Sequence, residues 1–255
     1  LSNNIMKINS FNSSLYDSDF NRIIKDNLHI EGNIDFKQFF EPKYNLKVLG
    51  ENVFFRSLNG DIEAYTDLDL AIIGKDTLNI FGTVKAKDGA VYKEFNNNST
   101  IDLAEEKGRT TTNYNIRFPI EDSFSIRNSQ IDAKISGELA MSRQFDSGWN
   151  YSGEIEFIEG KIYYYLGDVF EDLRGSMTLD GEGFNPFLEL TASTQIGDAK
   201  IMLGVFGSFE NPEWTFDSDK GYTESDILQL LTFNTRVAEE GFTTEGLGTQ
   251  AQTIL

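Results

Sequence analysis

Cysteine is absent from the 255-residue chain. Disulfides, a thiolate zinc site and a thiol nucleophile are excluded with it, while the redox state of the compartment stays open. Histidine occurs once, at His29. A multi-histidine metal centre is therefore excluded, and a Ser-His-Asp triad would have to use that one ring. Basic residues are scarce, with 22 Lys and Arg against 41 Asp and Glu and a formal net charge of −19. Phosphate backbones are bound by a surplus of cations that release counterions, so no nucleic-acid partner is expected. Broad adhesion to anionic lipid headgroups takes polybasic segments and is not expected either; any contact with lipid would have to be apolar. No apolar run reaches the roughly 18 residues of a membrane-spanning helix. The chain opens on Leu1 and stops in mid-pattern at Thr253-Ile254-Leu255, which reads as a piece of something longer, with any targeting information outside it.

What the chain does have is alternation. Leu28, Ile30, Ile34 and Phe36 fall on one face of an extended segment, and His29, Glu31, Asn33 and Asp35 on the other. The period of two returns at Tyr44-Leu46-Val48, Leu68-Leu70-Ile72, Leu78-Ile80-Gly82-Val84-Ala86 and Tyr114-Ile116-Phe118. It continues at Ile131-Ala133-Ile135-Gly137-Leu139, Ile155-Phe157, Leu188-Leu190-Ala192 and Ile201-Leu203-Val205. Asn59-Gly60, Asp88-Gly89, Asp180-Gly181-Glu182-Gly183 and Asn185-Pro186 punctuate these runs with turn chemistry. Roughly 14 to 16 strands are expected, an all-β signature. Ile5, Lys7 and Phe11 fit one edge strand, and 96–100 and 105–108 read as exposed loops.

One segment reads as a helix. Thr223 can cap its N-terminus, Glu224 and Asp226 suit the positive end, and Ile227, Leu230 and Leu231 share a face. Its first-turn acids and lack of Lys favour packing on the end of the sheet over lying in a membrane interface. Residues beyond it are rich in Gly, Thr and Gln and read as a flexible tail.

A loose repeat links Leu28–Phe36, Leu78–Tyr92 and Trp149–Tyr164: a strand with a glycine in its middle, then a second apolar-polar run. In the last two, Gly89 and Gly160 are expected to turn the chain into another strand. Mid-strand glycine marks a bend, a bulge or a close backbone approach. The apolar face of so many strands needs a cover. A sandwich or closed barrel supplies one internally, whereas an open curled sheet leaves a groove for a hydrophobic guest. Fifteen strands at about 4.8 Å would run roughly 70 Å.

Other chemistries fit less well. Glu154 with Glu156, and Asp67 with Asp69, could be glycosidase acid pairs, but each pair lies opposite the apolar face. Asp180-Gly-Glu-Gly and Asp17-Ser-Asp lack the calcium-loop spacing. His29 reads as a surface residue. Tyr163, Tyr164 and Tyr165 with Trp149 and Tyr151 could stack on sugars, yet aromatics are ordinary strand formers. The sequons at Asn12, Asn97, Asn98 and Asn150 matter only in a eukaryotic source. No cofactor and no catalytic or metal-binding residue is expected.

The order of segments in the C-terminal half resembles the C-terminal region of the TamB family, within the AsmA-like superfamily. The segments are Phe124–Leu139, Tyr151–Tyr164, Gly175–Gly181 and Asn185–Ala192. They close on Gly207-x-x-x-Asn211-Pro212 and the Asp226-Ile-Leu-x-Leu-Leu helix. The resemblance covers about residues 120–235. It divides the chain into divergent repeats over 1–119, a TamB-like region over 120–235, and a tail over 236–255 that looks cut short, so that this chain could lack the barrel contact. The resemblance implies an elongated β-taco, a long curled antiparallel or mixed sheet enclosing an apolar groove, with one short C-terminal helix. It implies a non-enzymatic role in outer-membrane biogenesis, in the periplasm of a diderm bacterium, with an inner-membrane anchor upstream. The partners it implies are phospholipid acyl chains sliding in the groove and a TamA or BamA-like outer-membrane barrel protein. The inward set expected to line the groove is Ile30, Ile34, Ile80, Val84, Ile131, Ile135, Leu139, Ile155, Phe157, Leu188, Leu190, Ile201, Leu203 and Val205. A charge at Ile135 or Leu190 is expected to block transport with modest loss of fold. Two other readings stay open: a scaffold for outer-membrane protein (autotransporter) assembly by β-augmentation, and a compact surface sandwich or adhesin.

Overall fold

The computed structural model describes residues 4–17, 22–38, 41–95, 111–164 and 168–237. The strands are β1 (Ile5–Asp17), β2 (Arg22–Asp35), β3 (Lys43–Arg56), β4 (Ile62–Gly74), β5 (Thr77–Val91) and β6 (Thr111–Arg127). They continue as β7 (Ile131–Arg143), β8 (Asn150–Tyr163), β9 (Val169–Glu182), β10 (Phe187–Ile196), β11 (Ala199–Ser208) and β12 (Glu213–Ser218). One helix follows, α1 (Glu224–Val237). All twelve strands form a single sheet in chain order, with β1 and β12 at its edges. It is not closed into a barrel. Every neighbouring pair is antiparallel except β5 and β6, which run parallel. Residues 92–110 join that pair, a connection long enough for the crossover that parallel strands require. The architecture is the elongated, curled, mixed all-β sheet that the alternation and the resemblance lead to.

The strands are fewer and longer than the turn signals suggest. Twelve lie among the described residues, against the expected fourteen to sixteen, and at about 4.8 Å each they stack to roughly 55 Å. Gly89 and Gly160 are not turns. β5 runs through Gly89 and β8 through Gly160, each beside a register shift. An extra residue at such a bulge bends the strand without ending it. Asp180, Gly181 and Glu182 likewise belong to β9, and the chain reverses after them, at Gly183. The sugar-stacking grouping comes apart: Trp149 and Tyr151 lie at the start of β8 and Tyr163 and Tyr164 at its far end. The loops at 96–100 and 105–108, Tyr165, Ser18, Asp19 and the tail beyond Val237 fall outside the described residues.

Mid-strand glycine allows the curl. Gly137 of β7 has φ +137°, a backbone geometry that side chains of L-residues rarely adopt. A Cβ built there would overlap the carbonyl oxygen of Glu154 on β8. The neighbouring backbone occupies the space that a side chain would take.

The helix closes one end of the sheet. Ile227 and Leu231 are buried and join the hydrophobic core, with Leu230 packed against it. The Thr223 hydroxyl accepts from the Asp226 backbone N–H (3.3 Å), and the Asp226 carboxylate accepts from the Thr223 N–H (3.1 Å) and hydroxyl (2.6 Å). This reciprocal cap satisfies donors that a helix start otherwise leaves open. The hydroxyl and amide of Thr223 hold the Asp226 carboxyl below its ordinary pKa. A carboxyl whose folded pKa is depressed adds stability above its unfolded value, near 4, and loses it as pH falls through the folded value. Amide exchange at Ile227 will therefore accelerate, relative to the sheet core, as pH drops below about 4, after correction for intrinsic rates. Asp226→Asn will remove that pH dependence.

Candidate functional site

Strand register decides which side chains share a face. One row of paired residues reads Ile8, Gly32, Leu46, Ile72, Ile80, Tyr114 and Arg143 across β1 to β7. The next reads Ile30, Val48, Leu70, Gly82, Ile116, Met141, Tyr151 and Gly181 across β2 to β9. Further along the strands come Thr66, Ala86, Ile120, Gly137, Ile155, Met177, Leu188 and Gly207 across β4 to β11. Another row reads Ala64, Gly89, Phe124, Ile135, Phe157, Gly175, Leu190, Val205 and Trp214 across β4 to β12. Side chains of one parity thus make one continuous apolar inner face. The rows shift toward later strands because the sheet is sheared.

The fourteen residues singled out from the sequence all lie on this face, in two different environments. Ile135, Ile155, Phe157, Leu188, Leu190, Ile201, Leu203 and Val205 are buried and pack against one another, with Ile155 and Ile201 at 0% exposure. Ile30, Ile34, Ile80, Val84, Ile131 and Leu139 are only half-buried. Phe55, on the same face of β3, is 50% exposed. The inner face is therefore an open trough along the Leu46, Ile72 and Ile80 end of β2 to β5, continued by the half-buried Leu139, Met141 and Arg143 of β7, and a filled core over β8 to β11 that also takes in Ala64 of β4 and Ala86 of β5. This corrects the expectation for Ile135 and Leu190. Both are 3% exposed inside the core, so a charge there cannot stay solvated.

Contacts between distant strands close the filled half. The Phe95 ring, just past β5, meets the Phe209 ring after β11 edge-on, with centroids 5.7 Å apart. Gln130 holds Phe95 by accepting its N–H and donating to its carbonyl, both at 2.8 Å. Tyr164, Phe170, Trp214 and Phe216 form a second aromatic cluster. Nearby, one Asp168 oxygen is buried without a hydrogen-bond partner, and burial raises that carboxyl's pKa.

At the opposite end of the strands the inner face finishes on a different rim. Arg143 is paired with Tyr114 and its guanidinium carbon lies 5.5 Å from the centroid of the Trp149 ring. Tyr114 and Tyr151 flank Trp149 at 5.2 and 6.5 Å, and Phe184 meets Tyr151 edge-on at 5.7 Å. Desolvation raises the Tyr151 phenol above its ordinary pKa. The sequence reading missed this rim. The signal was parity, since Arg143 is two residues beyond Met141 and four beyond Leu139 on the apolar side of β7.

The outer face carries the charge. Lys47–Asp69, Lys87–Asp67, Lys85–Glu121, Arg117–Glu138, Lys134–Glu159 and Lys161–Glu171 bridge between strands. Exposed pairs of this kind contribute little stability, but they fix which face points outward. Asp67 and Asp69 are thus ion-paired, and Glu154 and Glu156 are exposed on the same outer side. His29 lies 3.7 Å from Glu31. Among the described residues no group of three His, Asp or Glu could hold a metal ion, and no helix is long and apolar enough to cross a membrane.

No curated protein matches the chain. The family model of the TamB C-terminal domain matches residues 22–255, extending well upstream of the stretch whose order of segments suggested the resemblance. A single curled sheet, folded around an apolar inner face and finished by a capped helix, is matched over nearly its whole length, and the chain belongs to the TamB family, a component of the bacterial outer-membrane assembly system that spans the periplasm.

Proposed function

We propose that this domain is a non-enzymatic periplasmic conduit for phospholipid acyl chains, serving outer-membrane biogenesis. The observation that carries the reading is the half-exposed apolar face over β2 to β5, continuous with the core and not covered by any of the described residues. Each buried methylene adds about 0.8 kcal/mol, enough for a chain of ordinary length to settle there. The described inner-face residues of β2 to β5 carry no charge that would trap it at one place. The filled half over β8 to β11 supplies the rigid end against which the trough is built. A TamA or BamA-like outer-membrane barrel is the partner, with the inner-membrane anchor upstream.

The test is native mass spectrometry of the purified chain with organic extraction of its lipids. Phospholipid is expected to co-purify. A lipid-free, monodisperse protein would mean that the half-open face binds nothing, and the conduit reading would fall. A second reading is assembly of outer-membrane protein strands by β-augmentation. It rests on the two edge strands, β1 and the six-residue β12. Under it, proline within β12 would impair outer-membrane protein assembly more than a charge in the trough.

A further inference from the structure

From the arrangement at the rim, we infer that Arg143 and Trp149 form a binding site for the phosphate of a phospholipid headgroup, placed where the acyl chain leaves the trough. The inference rests on the conduit reading and says where along the strand the polar end of the guest sits.

Three observations converge on it. First, among the register-paired described residues on the inner face of β3 to β12, Arg143 is the one that carries a charge. In a chain of net charge −19, no described carboxylate pairs with it, whereas cations of the outer face from Lys47 to Lys161 have acidic partners. Second, its position is held by a ring rather than by an anion. Trp149 lies under the guanidinium at 5.5 Å, which orients the planar fork and leaves its charge available. Third, the surroundings change in the order that an amphipathic guest needs. From the rim inward along β7 the face reads Arg143, Met141, Leu139, Gly137. At about 3.3 Å per residue, Leu139 lies about 13 Å and Gly137 about 20 Å from Arg143. The hydrocarbon of one leaflet is about 15 Å deep. A phosphate on Arg143 therefore lets the tail lie on Met141 and Leu139 and end short of Gly137.

Tyr114, Trp149, Tyr151 and Phe184 complete the picture. Tyr114 and Trp149 each have an apolar ring body and a polar tip, the kind of side chain that favours the headgroup level of membranes, while the buried Tyr151 meets Phe184 edge-on. The guanidinium fork matches two phosphate oxygens by charge-assisted hydrogen bonds. This adds one polar contact to the purely apolar lipid contact expected from the net charge.

The experiment uses two probes that carry the same pyrene-labelled acyl chain, a phosphatidylglycerol and a diacylglycerol without phosphate. Wild-type chain is expected to bind the phosphatidylglycerol about tenfold more tightly than the diacylglycerol. Arg143→Gln is expected to abolish that preference while diacylglycerol binding, which reports an intact trough, is unchanged. Arg143→Lys is expected to retain part of it, keeping the charge without the fork. Uptake of both probes by Arg143→Gln with the preference undiminished would overturn the headgroup site and leave the conduit reading standing. Displacement of the phosphatidylglycerol by equimolar inorganic phosphate would make this a free-anion site and also overturn it. Uptake of neither probe by wild type would sink the conduit reading itself, and the site with it.

Discussion

Leu190→Arg will unfold the C-terminal half of the sheet, whereas Ile80→Asp will leave the sheet folded and empty the trough. Both variants put one charge on the same inner face, so the contrast isolates burial. Leu190 sits between Gly175 and Val205 in its row and is 3% exposed. Its neighbours are core side chains, and no acid stands among the register-paired residues of that face to pair with a guanidinium. An unpaired buried charge costs about 3–5 kcal/mol or more, a large part of the roughly 5–15 kcal/mol that holds a domain together. Ile80 lies between Ile72 and Tyr114 on the open trough and is half-buried. An aspartate there keeps its water, and the loss is about 1–2 kcal/mol of apolar burial. Urea unfolding followed by circular dichroism will separate the two variants, and lipid extraction will report the trough. Phospholipid recovered at the wild-type level from folded Ile80→Asp would place the acyl chains elsewhere. Wild-type stability of Leu190→Arg would mean that the walls over β8 to β11 stand apart in solution.

That contrast also marks how far the sequence could be read. The period of two placed Ile80 and Leu190 on one face, because parity is a local property of an extended chain. It could not tell the open one from the buried one. Burial at Leu190 depends on contacts such as Phe95 with Phe209, which join segments far apart in the chain, and no local pattern records such contacts. The helix was legible to within a residue, since Thr223, Asp226, Ile227 and Leu231 carry both its cap and its buried face within nine positions. Strand ends were less legible. Asp88-Gly89 and Asp180-Gly181 have turn composition, yet both stay in strands, the first at a bulge. The parallel pairing of β5 with β6 was not legible beyond a mixed sheet, because the connection that allows it carries no pattern of its own. Arg143 was overlooked for a related reason: it stands at the last position of β7, where a charged residue looks like the end of a strand.

Gly137→Ala is expected to be among the most damaging single-methyl changes in the chain, and Gly181→Ala separates its two causes. Both glycines hold positive φ, +137° and +150°, so alanine at either site bears a backbone penalty of roughly 1–3 kcal/mol. At Gly181 an added Cβ meets nothing within 4 Å, and the backbone penalty is the whole effect. At Gly137 the Cβ overlaps the Glu154 carbonyl oxygen, and β8 must move to make room. That carbonyl is next to Ile155, which pairs with Gly137, is fully buried, and lies between Gly137 and Met177 in its row. Displacing it opens the core where the trough passes into the filled half, so the cost is expected to exceed that of Gly181→Ala by about 2 kcal/mol or more. Urea midpoints of the two variants, measured side by side, give the difference directly. Equal shifts would show that β8 yields without cost, and that the curl of the sheet does not depend on the close approach of β7 and β8. A large excess at Gly137 would tie the curl, and with it the trough, to a methyl group that the chain cannot accommodate.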